Sequence, residues 1–198
     1  MSEKKPSMAP FWGLVIVTGL PFILALYLFL HPEMLEVLGT KNHGQLIQPT
    51  RDLPALHLQT LDGRGLDLAS LKGNWTLLMV ADGKCGEACQ QNLYYLRQIR
   101  RAMGENRTRV ERLMVLDDDT PGADLQTTLK PFEGTRVVVG PAAARDQLLA
   151  LLRVDEVPLS GRIFIVDPQG KLILAYPPNP PWKDVLKDLE QLLKVVQL

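Results

Sequence analysis

The chain has 198 residues, with 22 Lys and Arg against 22 Asp and Glu and only two cysteines. Zero formal net charge excludes binding of nucleic acid by bulk charge, and two cysteines exclude a disulfide-rich scaffold or a four-cysteine zinc site. The length suffices for one domain with a hydrophobic core and an appendage, and a mean hydropathy of +0.01 beside 22% charged residues requires an uneven spread of apolar content.

That unevenness sits at the start. From Pro6 to Leu30 no residue is charged, and the run from Phe11 to Leu30 is almost wholly apolar. Twenty such residues make roughly 30 Å of helix, the thickness of a bilayer core. A cleavable signal peptide has an apolar stretch of about 7–15 residues and ends in a small-residue site. Here the run ends in His31-Pro-Glu-Met-Leu-Glu36 and offers no such site. Pro21 is tolerated in a membrane helix, and Trp12 and Tyr27 lie near the two ends, where amphipathic rings prefer the interface. Lys4 and Lys5 precede the span and the next positive charge is Lys41. The positive-inside rule then places the amino tail in the cytoplasm and the remainder outside. The tail lacks the Arg-rich character of a transit peptide, which favours a bacterial inner membrane and a periplasmic domain. The expected organisation is a cytoplasmic tail over 1–9, a transmembrane helix over 10–30, a stalk over 31–52 and a periplasmic domain over 53–198. Beyond residue 30 there are 20 basic and 21 acidic residues, so the exported part carries no electrostatic signature and no nucleic-acid partner is expected.

The stalk is expected to continue the helix to Leu38 and then to run through Gly39-Thr-Lys-Asn-His-Gly44 and Pro49. Leu56–Thr60 and Gly65–Leu68 flank Asp62-Gly63 and predict a small hairpin. Trp75–Val80 has the pattern of a central strand buried on both faces. Glu87–Met103 predicts a helix, with Cys89, Leu93, Leu96, Ile99 and Met103 along one face. Arg109–Leu116 predicts a second central strand. A short helix over Ala123–Leu129, a strand over Thr135–Val139 and a helix over Ala142–Leu152 follow. Ile163–Val166 and Leu172–Ala175 surround Asp167-Pro-Gln-Gly170 and predict a second hairpin. Trp182–Val196 closes the chain as an amphipathic helix. Strands alternating with helices imply an α/β sheet, here of thioredoxin-like order, with antiparallel strands added at one side.

Cys85-Gly-Glu-Ala-Cys89 is the chemically loaded motif. A spacing of four places both sulfurs on one side of a helical turn. Cys85 stands at the strand-to-helix junction, where an exposed sulfur is expected and where the free N–H groups of a helix start raise the thiolate fraction. Cys85 is therefore expected to attack and Cys89, on the core stripe, to resolve. A structural disulfide is the alternative, although so short a loop restricts little chain entropy.

The anchor, the Cys85-x-x-x-Cys89 pair after a buried strand and Asp167-Pro-Gln-Gly170 together resemble the Sco/SenC family, membrane-anchored thioredoxin-fold factors that help mature the copper site of cytochrome c oxidase. Asn42-His-Gly-Gln-Leu-Ile-Gln-Pro49, Trp75 and Arg97-Gln98 also resemble small proteobacterial inner-membrane proteins associated with oxidase assembly. The resemblance implies Cu(I) as a ligand of Cys85 and Cys89, and oxidase subunits or copper chaperones as partners. The family completes its copper site with a histidine before the Asp-Pro hairpin, at the position that Leu159 fills here. The histidines of this chain are His31, His43 and His57. Two thiolates still suit Cu(I), whereas a three-ligand site is not expected. Val157-Pro158 resembles the cis-proline that faces the cysteines of thioredoxin-like enzymes; an ordinary trans proline is the alternative.

Other signals are read as structural. Asp117-Asp-Asp119 reads as a solvated strand end, without the glycine and glutamate of a calcium loop. Arg97, Arg100, Arg101, Arg107, Arg109 and Arg112 form a local basic cluster, read as a solvated face or as a surface for a partner or anionic lipid. The expected function is oxidase biogenesis, through thiol–disulfide reduction or Cu(I) handling by the cysteine pair. A non-catalytic assembly protein with a degenerate metal site and a general periplasmic thiol reductase are the alternatives.

Overall fold

The computed structural model describes residues 9–31, 42–118 and 121–195, in two compact units, Met1–Lys41 and Asn42–Leu198. In the first unit, helix α1 spans Ala9–Leu30 with Pro21 inside it. Its described side chains are almost all exposed, Phe22 at 78% and Phe29 at 80%. Trp12–Leu30 is long and apolar enough to cross a membrane, which is consistent with a membrane anchor. The Thr18 hydroxyl on that stretch donates back to the Leu14 carbonyl at 2.8 Å and needs no outside partner. The expected continuation to Leu38 lies outside the described residues.

The second unit is built on an eight-stranded sheet among the described residues. Its strands are β1 (Gln45–Asp52), β2 (His57–Thr60), β3 (Gly65–Asp67), β4 (Trp75–Ala81), β5 (Val110–Leu116), β6 (Thr135–Gly140), β7 (Ile163–Val166) and β8 (Lys171–Ala175), in the order β1-β8-β7-β4-β5-β6-β2-β3. The helices are α2 (Glu87–Ala102), α3 (Leu125–Leu129), α4 (Ala142–Leu152) and α5 (Trp182–Val195). β4 pairs parallel to β5 and β5 parallel to β6, while β7 joins β4 antiparallel and begins the added side. β4 is central because all seven of its residues are apolar or small enough to bury, and all seven are buried. Alternation along it feeds two cores. Leu77, Met79 and Ala81 pack with α2 and α5 on one face, and Leu78 and Val80 with α4 on the other.

The stretch expected as a stalk over 31–52 contains a strand of the sheet. Gln45–Asp52 is an edge strand, paired antiparallel with β8 from Gln45↔Ala175 to Asp52↔Lys171. Only Ile47 on it is an apolar residue that the fold buries, and Pro49 is tolerated because the strand lies at an edge. The segment just before it is held by Asp188 of α5. That carboxylate accepts the His43 amide at 2.8 Å, the Gly44 amide at 2.8 Å and the Tyr176 hydroxyl at 2.8 Å. Burial pushes the Asp188 carboxyl up, but hydrogen bonds from His43, Gly44 and Tyr176 outweigh it and hold the group below the usual carboxylate range.

Candidate redox site

The site forms where β4 ends and α2 begins. The loop between them is tied down at each residue by a neighbouring acid or backbone group. Asp82 Oδ1 accepts the amides of Lys84 at 3.0 Å and Cys85 at 2.9 Å, an Asx-type turn that sets the chain's direction. Both carboxylate oxygens of Asp118 accept the Gly83 amide at 3.0 Å. The Gly83 carbonyl accepts the Gly122 amide at 2.8 Å, and a Cβ on Gly122 would lie 2.9 Å from that same oxygen, so the contact requires glycine. Cys85 has φ +43°, the left-handed region that non-glycine residues rarely adopt. The Gln90 side chain closes the turn by donating to the Cys85 carbonyl at 3.2 Å.

Within this turn Cys85 and Cys89 are joined in a disulfide, with their Cα atoms 5.0 Å apart. The expected contrast in exposure is not found. Cys85 is 1% exposed and Cys89 8%, and both belong to the core cluster on the α2 side. Asp82 and Asp118 fix the loop that carries Cys85, and its side chain is held in the core instead of at an open junction. Cys89 does lie on the predicted stripe of α2, with Leu93, Leu96 and Ile99.

The flanking acids are structural parts of the loop and not merely a solvated strand end. Asp117 and Asp118 are half-buried, while Asp119 lies outside the described residues. Burial pushes the Asp117 carboxyl up; a hydrogen bond from the Ser160 hydroxyl opposes this, and the charges of Asp118 and Asp82 add to it. The Asp118 carbonyl accepts Arg145 Nη1 at 2.7 Å, which links this corner to α4. The sequence shows these acids as a run after a strand without the glycine and glutamate of a calcium loop; only their partners in distant segments reveal the role.

The loop before β7 reaches the same corner. Gly161 donates to the Val80 carbonyl at 2.8 Å and accepts from Asn92 Nδ2 at 3.1 Å, one turn beyond Cys89. Leu159, where the resemblance to Sco/SenC proteins placed a third ligand, is 8% exposed and packs in the α4-side core, the face opposite the cysteines. The Val157–Pro158 bond is trans, the cis bonds being those before Pro49 and Pro141. His43 is bound to Asp188, and His57 is exposed beside Asp67, so neither joins the cysteines. No group of three or more His, Cys, Asp or Glu suited to a metal occurs among the described residues. The donor set at the site is therefore two sulfurs, and the nearby carboxylates are hard oxygen ligands that suit Cu(I) poorly.

The family model for the transmembrane-like, thioredoxin-like, C-terminal domain matches residues 75–196. No curated protein matches the chain. Among solved structures, the fold is similar to copper-bound ScoI of Bradyrhizobium japonicum, at 21% identity and a TM-score of 0.55, over 75% of this chain and 98% of that one. It is similar to yeast Sco1 at 17% identity and a TM-score of 0.64, over 77% and 99%. A thioredoxin domain of a thiol-disulfide oxidoreductase from Bacteroides vulgatus is also similar, at 19% identity and a TM-score of 0.56, over 72% and 95%. At these identities the likeness establishes the fold alone, a thioredoxin-like α/β domain.

Proposed function

The chain belongs to the transmembrane-like, thioredoxin-like family, and from that premise we propose a membrane-anchored factor whose periplasmic domain reduces a partner's disulfide through Cys85 and Cys89 during cytochrome c oxidase biogenesis. The observation that carries this reading is the Cys85–Cys89 disulfide itself, set at the start of a helix beside a buried central strand. A bond closing a five-residue turn adds little by constraining the unfolded chain, so its retention is better explained by use than by stapling. The proposed topology keeps residues 1–9 in the cytoplasm, spans the inner membrane with 10–30 and exports the domain.

In the reduced protein the Cys85 thiolate attacks one sulfur of the partner's disulfide. A mixed disulfide forms and the partner's other sulfur leaves as a thiolate. The Cys89 thiolate then attacks Cys85, closing the observed bond and releasing the partner's second thiolate. Two electrons pass to the partner, and its two thiolates take up the protons that Cys85 and Cys89 lost. Because both cysteines are buried in the oxidised form, re-reduction requires a local opening that exposes a sulfur.

A second role uses the same atoms. Two reduced thiolates suit Cu(I) as cargo to be passed to a client, and the copper-bound ScoI structure supports that role for this fold. Leu159 in place of a histidine favours two-coordinate, readily surrendered copper, or a scaffold whose metal site has decayed. Trapping separates these readings. The full chain carrying Cys89→Ser is expected to accumulate a mixed disulfide through Cys85 with a periplasmic or membrane partner. Unchanged oxidase assembly in strains carrying Cys85→Ser and Cys89→Ser, with no trapped adduct, favours the scaffold and contradicts the reductant.

A further inference from the structure

The basic cluster noted in the sequence closes around a cavity away from the cysteines. Arg97, Arg100 and Arg101 come from the last two turns of α2, Arg107 from the 3-10 turn Gly104–Arg109, Arg112 from β5 and Lys130 from the segment before β6. They surround a cavity of about 390 Å³ whose lining holds one acid, Glu133. Six cations against one carboxylate leave the lining at +5.

Arg112 distinguishes this from a solvated face. It is 3% exposed, on the central strand β5 between Glu111 and Leu113. Its Nη2 donates to the Glu133 carbonyl, and Gly134 lets the backbone pass so close that a Cβ there would lie 3.0 Å from Nη2. Its Nε and Nη1 have no hydrogen-bond partner among the described residues, nor does Arg97 Nε. No carboxylate pairs with Arg112 there; the adjacent Glu111 is held by Arg136 at 2.9 Å. Burial, then Arg100, Arg97 and Arg101, push the Arg112 guanidinium down to about 10, so it stays charged at neutral pH. A buried, unpaired guanidinium among other guanidiniums is strongly disfavoured unless an anion compensates it.

We infer that this cavity is a binding site for a phosphate group, with Arg112 at its floor and Arg97, Arg100, Arg101, Arg107 and Lys130 around its rim. A phosphate offers three or four oxygens that accept from several guanidiniums at once, whereas a carboxylate offers two. The volume fits a phosphorylated small molecule, and the same chemistry is presented by the headgroup of an anionic phospholipid.

The test uses the full chain in neutral detergent micelles at fixed ionic strength, titrated with inorganic pyrophosphate against chloride and, separately, transferred to micelles doped with phosphatidylglycerol. Saturable binding and a raised thermal midpoint are expected with one of the two probes, and which one responds identifies the source. Arg112→Gln, and separately the exposed pair Arg101→Gln/Arg107→Gln, are expected to weaken that response by about tenfold or more. The exposed pair decides the matter if Arg112→Gln does not fold. No response beyond chloride, a response that survives both variants, or arginine-dependent binding of polyglutamate but of neither phosphate probe overturns the inference.

Discussion

Asp188 holds His43 through both its main chain and its ring, with the amide at 2.8 Å and Nδ1 at 2.9 Å from the carboxylate, across 145 residues of sequence. The Asp188 side chain is 1% exposed, so His43, Gly44 and Tyr176 supply the donors that water would supply to a free carboxylate. The segment before β1 is thereby fastened to α5.

Removing the acid leaves the Gly44 amide and the Tyr176 hydroxyl buried and without this acceptor. Asp188→Ala is expected to cost about 3 kcal/mol of domain stability, and Tyr176→Phe about 1 kcal/mol. Gly44→Ala is expected to cost about 1–3 kcal/mol, because its Cβ would lie 2.7 Å from the buried Tyr176 ring. Denaturant unfolding followed by tryptophan fluorescence measures all three; values within error of the wild type contradict the fastening.

Asp188 and Asp117 act in opposite directions with pH. Asp188 sits below its unfolded value, so its contribution is present above about 3.8 and is lost as pH falls through the lower folded value. Asp117 sits above its unfolded value, so its contribution is present below about 3.8 and is lost as pH rises through the raised folded value. Asp117→Asn is therefore expected to be more stable than the wild type at neutral pH, with the gain vanishing in strong acid. A constant difference across that range contradicts the assignment.

The Asp82 cap governs access to the disulfide. Asp82→Ala frees the amides of Lys84 and Cys85 and loosens the turn that carries Cys85. The expected result is reduction by dithiothreitol faster by roughly tenfold, with a stability cost of about 1 kcal/mol. An unchanged reduction rate shows that the loop does not gate the bond.

Restoring the family's histidine does not rebuild a third ligand. Leu159 faces the α4-side core, so Leu159→His buries an unpartnered ring there and is expected to cost about 2–3 kcal/mol. Cu(I) affinity of the reduced protein, measured by chelator competition, is expected to stay within about threefold of the wild type. A large gain contradicts the placement of Leu159.

The elements legible in the sequence are those whose own residues carry the period. β4 reads as buried because it is continuously apolar, and α2 because its apolar residues recur at three and four. Ala142–Leu152 forms the helix its pattern predicts. β1 was not legible, since one buried isoleucine beside a proline gives no strand period and the pairing with β8 is specified from the other end of the chain. Asp188 reads as an ordinary charge on an amphipathic helix, and Arg112 as a polar position within a strand. Arg162 reads as a loop residue, yet it is 2% exposed, bound to Asp155 and to the Tyr176 carbonyl at 3.0 Å. In each case the partner lies in another segment, where local pattern carries no information.

The chemistry proposed for Cys85 and Cys89 rests on their bond being a working couple, and its reduction potential tests that most directly. The full chain, equilibrated with glutathione or dithiothreitol buffers and scored by thiol alkylation, is expected to titrate as one two-electron couple above about −300 mV. A potential well below that value identifies an inert structural bond and contradicts the account.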